Sequence, residues 1–178
     1  QPKVHDISDF PIVRFNGANI YDGYGSAWCA EMDELVARRK PFVLIYVAGG
    51  PEEALDDRAQ RGVWLKTHKE TLGGTLLALI HVEPELDKRA QLEAMLPKLV
   101  QAFGTPQSTR ASHADAEALA RAALEISQRI GGAPASSLVL APRRRIAYAL
   151  SSQQRWAEAV QEFETIAAAL SESRVPLD

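Results

Sequence analysis

The sequence predicts an α/β domain: a small mixed or mostly parallel sheet of about four strands with flanking helices, followed by a C-terminal helical hairpin. Three observations carry this. Two runs, FVLIYV at Phe42–Val47 and TLLALIHV at 75–82, are apolar without interruption. Continuous rather than alternating hydrophobicity marks a strand covered on both faces. Helix-period segments lie between and after these runs, and strands that alternate with helices build sheets that are at least partly parallel. After Gly131-Gly132 the chain changes character and becomes small, apolar and turn-rich.

The elements follow in order. Residues 10–15 form a first, weaker strand, with Phe10, Ile12 and Phe15 apolar and Arg14 facing out; Asn16-Gly17 and Asp22-Gly23 then mark turns. A helix is predicted over 26–39, with Ser26 as N-cap, Trp28, Met32, Leu35 and Val36 at helical spacing, and Arg38, Arg39 and Lys40 where cations suit the helix dipole. After the FVLIYV strand, Ala48-Gly49-Gly50-Pro51 breaks the chain, and Pro51 suits the first turn of the next helix. That helix places Leu55, Ala59, Val63 and Trp64 inward and ends at Gly73-Gly74. The second buried strand follows. The next helix covers 85–103 and contains Pro97, which should kink or divide it. Residues 107–111 form a candidate edge strand, and Ser112 caps a helix over 113–130. The domain division is therefore 1–132 for the α/β unit and 133–178 for a linker and helical hairpin. In the latter, Trp156, Val160, Phe163, Ala167 and Leu170 are spaced 4, 3, 4 and 3 apart, an apolar seam in need of a surface.

Composition sets limits on function. The chain of 178 residues is 46% hydrophobic and 24% charged, ordinary for a globular protein. Its formal net charge is −3, which argues against nonspecific nucleic-acid binding through a basic field. The single cysteine, Cys29, forms no intrachain disulfide, and a reducing, cytoplasmic compartment is the simplest expectation. No apolar run approaches the roughly 18 residues of a membrane helix, and no signal peptide is visible at Gln1.

Two segments carry family resemblances. MDELVARRKPFVLIYV, a polar loop, a helix ending in WLKTHKETLGG, and then TLLALIHV, a helix and a last weak strand resemble in pattern the STAS, or SpoIIAA-like, domains related to anti-sigma-factor antagonists. The resemblance covers residues 10–130 and implies a noncatalytic, regulatory protein-interaction module. One departure matters: phosphorylation-controlled STAS domains carry a serine or threonine in the loop after the second strand, and here that loop reads Ala48-Gly49-Gly50-Pro51-Glu52-Glu53, with no hydroxyl. PRRRIAYALSSQQRWAEAVQEFETIAAAL is similar to a single tetratricopeptide-type hairpin, with Ala159 and Phe163 in its second helix. One such unit cannot bury its own faces.

The chemistry-bearing candidates each have a plain alternative. The Gly49-Gly50 loop, with Glu52 behind it, sits where α/β proteins often bind ligands, yet it matches no phosphate-binding motif and reads equally as a turn. His81 and Glu83 share one strand face by alternation and form either an acid–base site or a salt-linked pair. Cys29 lies near a helix start, where a thiol can be activated, or is simply a small buried hydrophobe. His5, His68 and His113 read as surface or capping residues. The basic cluster Arg143, Arg144 and Arg145 suits an acidic partner or a solvated helix face. No metal-ligand set and no cofactor motif stands out. The leading expectation is an interaction module that forms homo-oligomers, expected as dimers, through Trp156, Val160, Phe163, Ala167 and Leu170, or that holds another protein, with no nucleic-acid or membrane partner. The alternative is a small-molecule-binding or enzymatic domain with its site near Gly49, Gly50 and His81.

Overall fold

A computed structural model describes residues 3–129, and in it the two apolar runs become adjacent parallel strands. The elements run β1 (His5–Asp6), β2 (Ile12–Asn16), a 3₁₀ turn (Gly17–Asn19), α1 (Tyr24–Ala37), β3 (Phe42–Val47), α2 (Leu55–Thr67), α3 (Lys69–Thr75), β4 (Leu76–Val82), α4 (Leu86–Phe103), β5 (Gln107–Arg110) and α5 (His113–Arg129). The sheet has five strands in sequence order. β2 to β5 are parallel, and β1 adds an antiparallel edge. The α/β class and the mostly parallel sheet follow the expectation, with β1 as an additional strand. The Arg143–Arg144–Arg145 cluster, the Trp156 to Leu170 seam and the whole 133–178 unit lie outside the described residues.

The continuous hydrophobicity of β3 and β4 has its cause in two separate cores. On one face, Val13, Phe15, Phe42, Leu44 and Leu79 pack against Tyr24, Trp28, Met32 and Leu35 of α1, Trp64 of α2 and Leu72 of α3. On the other, Ile12, Val43, Ile45, Ala78, Ile80 and Val82 meet Ala116, Leu119, Ala120 and Ala123 of α5. Each large side chain so buried contributes on the order of 1.5–3 kcal/mol. The small residues of α5 at helical spacing let that helix lie close to the strands.

Several boundaries differ from the sequence expectation, for physical reasons. α1 begins at Tyr24, two residues before Ser26, because its first amides are capped from another element: the Asp57 carboxylate of α2 accepts from Gly23 N at 3.0 Å and from Gly25 N at 2.8 Å. Ser26 Oγ is instead paired with Gln60. α2 starts at Leu55 rather than at Pro51. The helix breaks at His68, and Gly73-Gly74 lie inside the short α3 instead of ending a long helix. α4 runs undivided through Pro97, whose ring is exposed. Ser112 does cap α5, accepting from Asp115 N at 3.1 Å while its hydroxyl donates to the Asp115 carboxylate at 2.7 Å.

The largest departure concerns α2. Leu55, Ala59 and Val63 face outward: Leu55 is 78% exposed and Val63 64%. The inward stripe is Asp57, Arg61 and Trp64, with Leu65 half-buried beside it, so the apolar contribution of α2 to the core comes only from its last turns. Trp64 donates its indole N–H to Asp33 at 2.8 Å and packs edge-on against Trp28.

Candidate functional site

Register aligns one row of side chains across the four parallel strands: Phe15 opposite Tyr46, Tyr46 opposite His81, and His81 opposite Thr109. Each of these residues is next to or near the C-terminal end of its strand, the edge where parallel α/β sheets place ligands. The row ends in polar groups with partners on three elements: Arg61 of α2 donates to the Tyr46 hydroxyl, Gln107 of β5 bonds the His81 ring, and Glu93 of α4 accepts from the Thr109 hydroxyl.

Arg61 is the centre of the arrangement. Its guanidinium carbon stands 5.5–5.9 Å from the ring centroids of Phe15, Tyr24, Trp28 and Tyr46, so four aromatic faces surround one cation. It binds Glu53 in bidentate fashion, Nε to Oε1 at 2.8 Å and Nη2 to Oε2 at 2.7 Å, and also donates to the Tyr46 hydroxyl. The Tyr24 hydroxyl donates to Glu53 Oε1 at 2.6 Å, and Arg58 adds a longer contact to the same carboxylate. Burial alone would raise the Glu53 carboxyl, but the Tyr24 hydroxyl and Arg61 overcome it and hold Glu53 below the usual carboxylate range. Burial, then the bond to Glu53, pushes the Tyr24 phenol far above its ordinary value. Tyr46 is raised as well, chiefly by burial. Both phenols therefore remain neutral at physiological pH, Tyr24 as a donor to Glu53 and Tyr46 as an acceptor from Arg61, and Glu53 remains charged.

A small open groove lies beside this network, between the loop after β2 and the loop after β3. Ile20, Tyr21, Tyr24 and Pro51 give it an apolar and aromatic lining, and Asp22, Glu52 and Asp57 give it acidic groups. The Tyr21 hydroxyl is buried there without a hydrogen-bond partner.

The sequence-predicted candidates are distributed as follows. Glu52 lines the groove and is exposed. Gly49 and Gly50 both have positive φ, and Gly50 lies against the backbone of Gly17 and Ala18, so this dipeptide joins two loops. His81 and Glu83 are not a pair. The His81 ring bonds Gln107 Oε1 through Nε2 at 2.9 Å, whereas the Glu83 carboxylate accepts from Glu85 N at the start of α4, at 2.9 Å. Cys29 lies in the second turn of α1, and burial raises its thiol, with Asp33 adding to the effect, so it is not an activated thiolate. His5, read as a surface residue, is 3% exposed; its Nδ1 meets Glu31 at 2.9 Å, and its ring lies against Phe15 and Trp28.

Sequence reasoning missed Tyr24, Glu53, Asp57 and Arg61. A signal was present: Asp57 and Arg61 stand four residues apart, which sets two charges on one face of α2, opposite Leu55, Ala59 and Val63, and Glu53 precedes them by the same interval in the loop before the helix. Among the described residues no group of three or more His, Cys, Asp or Glu side chains is placed to hold a metal ion. None of their helices is long and apolar enough to cross a membrane.

His5, buried, and His81, half-buried, give an expected pH response. Burial lowers the pKa of both: for His81 the Gln107 bond opposes this, and for His5 the Glu31 carboxylate does. The charged form is thus disfavoured in the fold, and the stability tied to neutral histidine is present above the unfolded value of about 6.5 and lost as pH falls below it. Melting temperatures taken from about pH 8 down to about pH 5 should hold level and then decline from about 6.5. His81→Gln should make that decline shallower; an unchanged slope in this variant would remove His81 from the explanation.

Comparison with protein-family models, with curated proteins and with solved structures finds no match.

Proposed function

We propose that this chain is a noncatalytic, STAS-like protein-interaction module that acts in regulation and self-associates. The observation that supports it is the division of labour between the two faces of α2. The charged and phenolic groups at the strand ends are bound to one another, Glu53 to Arg61 and Tyr24, Asp57 to Gly23 and Gly25, and His81 to Gln107. They hold two loops and four elements, α1, α2, β4 and β5, in place. The large apolar side chains of the same helix stand on the outside instead. A protein that keeps its polar groups for cohesion and its apolar ones for the surface is suited to contact rather than to catalysis. The seam of Trp156, Val160, Phe163, Ala167 and Leu170 offers a second surface of the same kind. A cytoplasmic location accords with the free thiol of Cys29.

The alternative, a small-molecule or enzymatic site near Gly49, Gly50 and His81, has less support. His81 is engaged by Gln107, and Gly50 has no room to admit a ligand between itself and Gly17. Size-exclusion chromatography with light scattering on the full chain at micromolar concentration tests the self-association. A species of twice the mass of one chain is expected, and a strictly monomeric one would sink the reading.

A further inference from the structure

We propose that the outer face of α2 is a two-fold, antiparallel contact between two copies of this chain, centred on Ala59. This deepens the self-association reading above and rests on it.

The face is defined by helical period. Leu55, Ala59, Gly62, Val63 and Lys66 lie on the side opposite the inward stripe of Asp57, Arg61 and Trp64. Leu55 and Val63, at 78% and 64% exposed, are two of the four large hydrophobic residues that stand out from the surface of the described residues. The other two, Leu86 and Met95, are nine residues apart on α4 and so point to opposite sides of it, whereas Leu55 and Val63 share one face. Between Leu55 and Val63 the face carries only small residues. Ala59 is exposed, and no atom lies within 4 Å of where a Cβ on Gly62 would stand. Two such faces can approach to an interaxial distance of about 8 Å, at the close end of the helix-packing range.

Charge selects the partner and its direction. The start of the helix is acidic, with Glu52 and Asp56 exposed, and the end of the outer face carries Lys66. Lys66 and Glu52 make no ion pair among the described residues. A second copy laid antiparallel about a two-fold axis through Ala59 sets Leu55 against the second copy's Val63, and Lys66 toward the second copy's Glu52 and Asp56. It also opposes the two helix dipoles. A parallel arrangement would set Lys66 against Lys66 and acid against acid. The face is therefore complementary to itself in one orientation, which is the requirement for an isologous dimer. A helix of 13 residues is about 20 Å long, so the contact falls below the roughly 1,200 Å² of a standard stable interface, and the dimer forms and separates with concentration.

Site-directed cross-linking in the full chain tests this. In a Cys29→Ser background, Ala59→Cys places a thiol on the axis, facing its own copy. Lys66→Cys places one about 10 Å from the axis, hence about 20 Å from its counterpart, too far for a disulfide. In a glutathione redox buffer at micromolar protein, the Ala59→Cys chain should form a disulfide-linked dimer and the Lys66→Cys chain should not. Val63→Asp should weaken the reversible dimer of the unmodified chain by about tenfold or more, because a carboxylate would enter an apolar contact. Lys66→Glu should weaken it too, and Lys66→Glu with Glu52→Lys should restore it. Light scattering separates the possible failures. A dimer in which Ala59→Cys cross-links no better than Lys66→Cys overturns this contact and leaves self-association through the 156–170 seam standing. A monomer at every concentration overturns both readings. A monomer in which the Ala59→Cys thiol also resists a small alkylating reagent assigns the face to cover by residues 133–178 of the same chain, which likewise overturns the contact.

Discussion

Glu53→Ala is expected to destabilise the fold by about 3 kcal/mol, one of the two largest effects of a single substitution near the candidate site. The carboxylate and guanidinium side chains are only 13% and 15% exposed, so water screens them little. Removal of Glu53 leaves Arg61 charged among Phe15, Tyr24, Trp28 and Tyr46, and also strips the Tyr24 hydroxyl of its acceptor. Breaking a buried pair from one side costs about 3–5 kcal/mol, and the aromatic faces and the Tyr46 hydroxyl left around Arg61 set the expected loss at the lower end. In a chain of this size the melting temperature should drop by on the order of 10 °C. Glu53→Gln keeps one acceptor and should lose less. The double variant Glu53→Leu with Arg61→Met should recover most of the loss, because a well-packed apolar pair can replace a buried ion pair at little net cost. Urea denaturation of the three variants checks this. A loss under about 1 kcal/mol for Glu53→Ala would mean that the network does not hold the loop after β3.

What was legible in the sequence divides along the same helix. The strands Phe42–Val47 and Leu76–Val82 were readable because burial on both faces leaves an unbroken apolar run, and no other element produces that pattern so compactly. The inward face of α2 was not readable by the same rule. Its stripe is acidic and basic, and hydrophobic periodicity assigns such a stripe to solvent. The charges are inside because partners distant in sequence satisfy them: Tyr24 is 29 residues from Glu53, and Gly25 is 32 from Asp57. A rule that weighs each residue by its own polarity cannot register a partner that only the fold brings near. The same limit hid the cap of α1 and the burial of His5, whose Glu31 partner is 26 residues away. β1 escaped for a simpler reason, since two residues are too few to show a period. Of the candidate site, the loop with Gly49, Gly50 and Glu52 was found from turn chemistry, whereas the groups that hold that loop in place were not.

The two glycines of that loop should respond unequally to alanine, and Gly50→Ala carries the second large expected loss, about 2–6 kcal/mol. Both residues have positive φ, +122° at Gly49 and +97° at Gly50, where a side chain strains the backbone by about 1–3 kcal/mol. Their surroundings differ. A Cβ on Gly49 would meet nothing within 4 Å. A Cβ on Gly50 would fall 2.2 Å from the Gly17 carbonyl oxygen and 2.6 Å from Ala18 Cα, and these are backbone atoms that no rotamer change can move. Gly17 is in the same position from the other side, since its own Cβ would stand 2.6 Å from the Gly49 carbonyl oxygen. The loops after β2 and β3 thus touch backbone to backbone, and forcing them apart adds about 1–3 kcal/mol, as overpacking does elsewhere. Gly49→Ala should carry the conformational strain alone, and Gly50→Ala the strain and the separation of the loops together. Measured in one urea series, the two variants should differ by about 1–3 kcal/mol, and equal losses would contradict the contact. Because Tyr21 and Tyr24 follow one loop and Glu53 the other, the Gly50 variant should also change the near-ultraviolet circular dichroism of the tyrosines, with Gly49→Ala as its control.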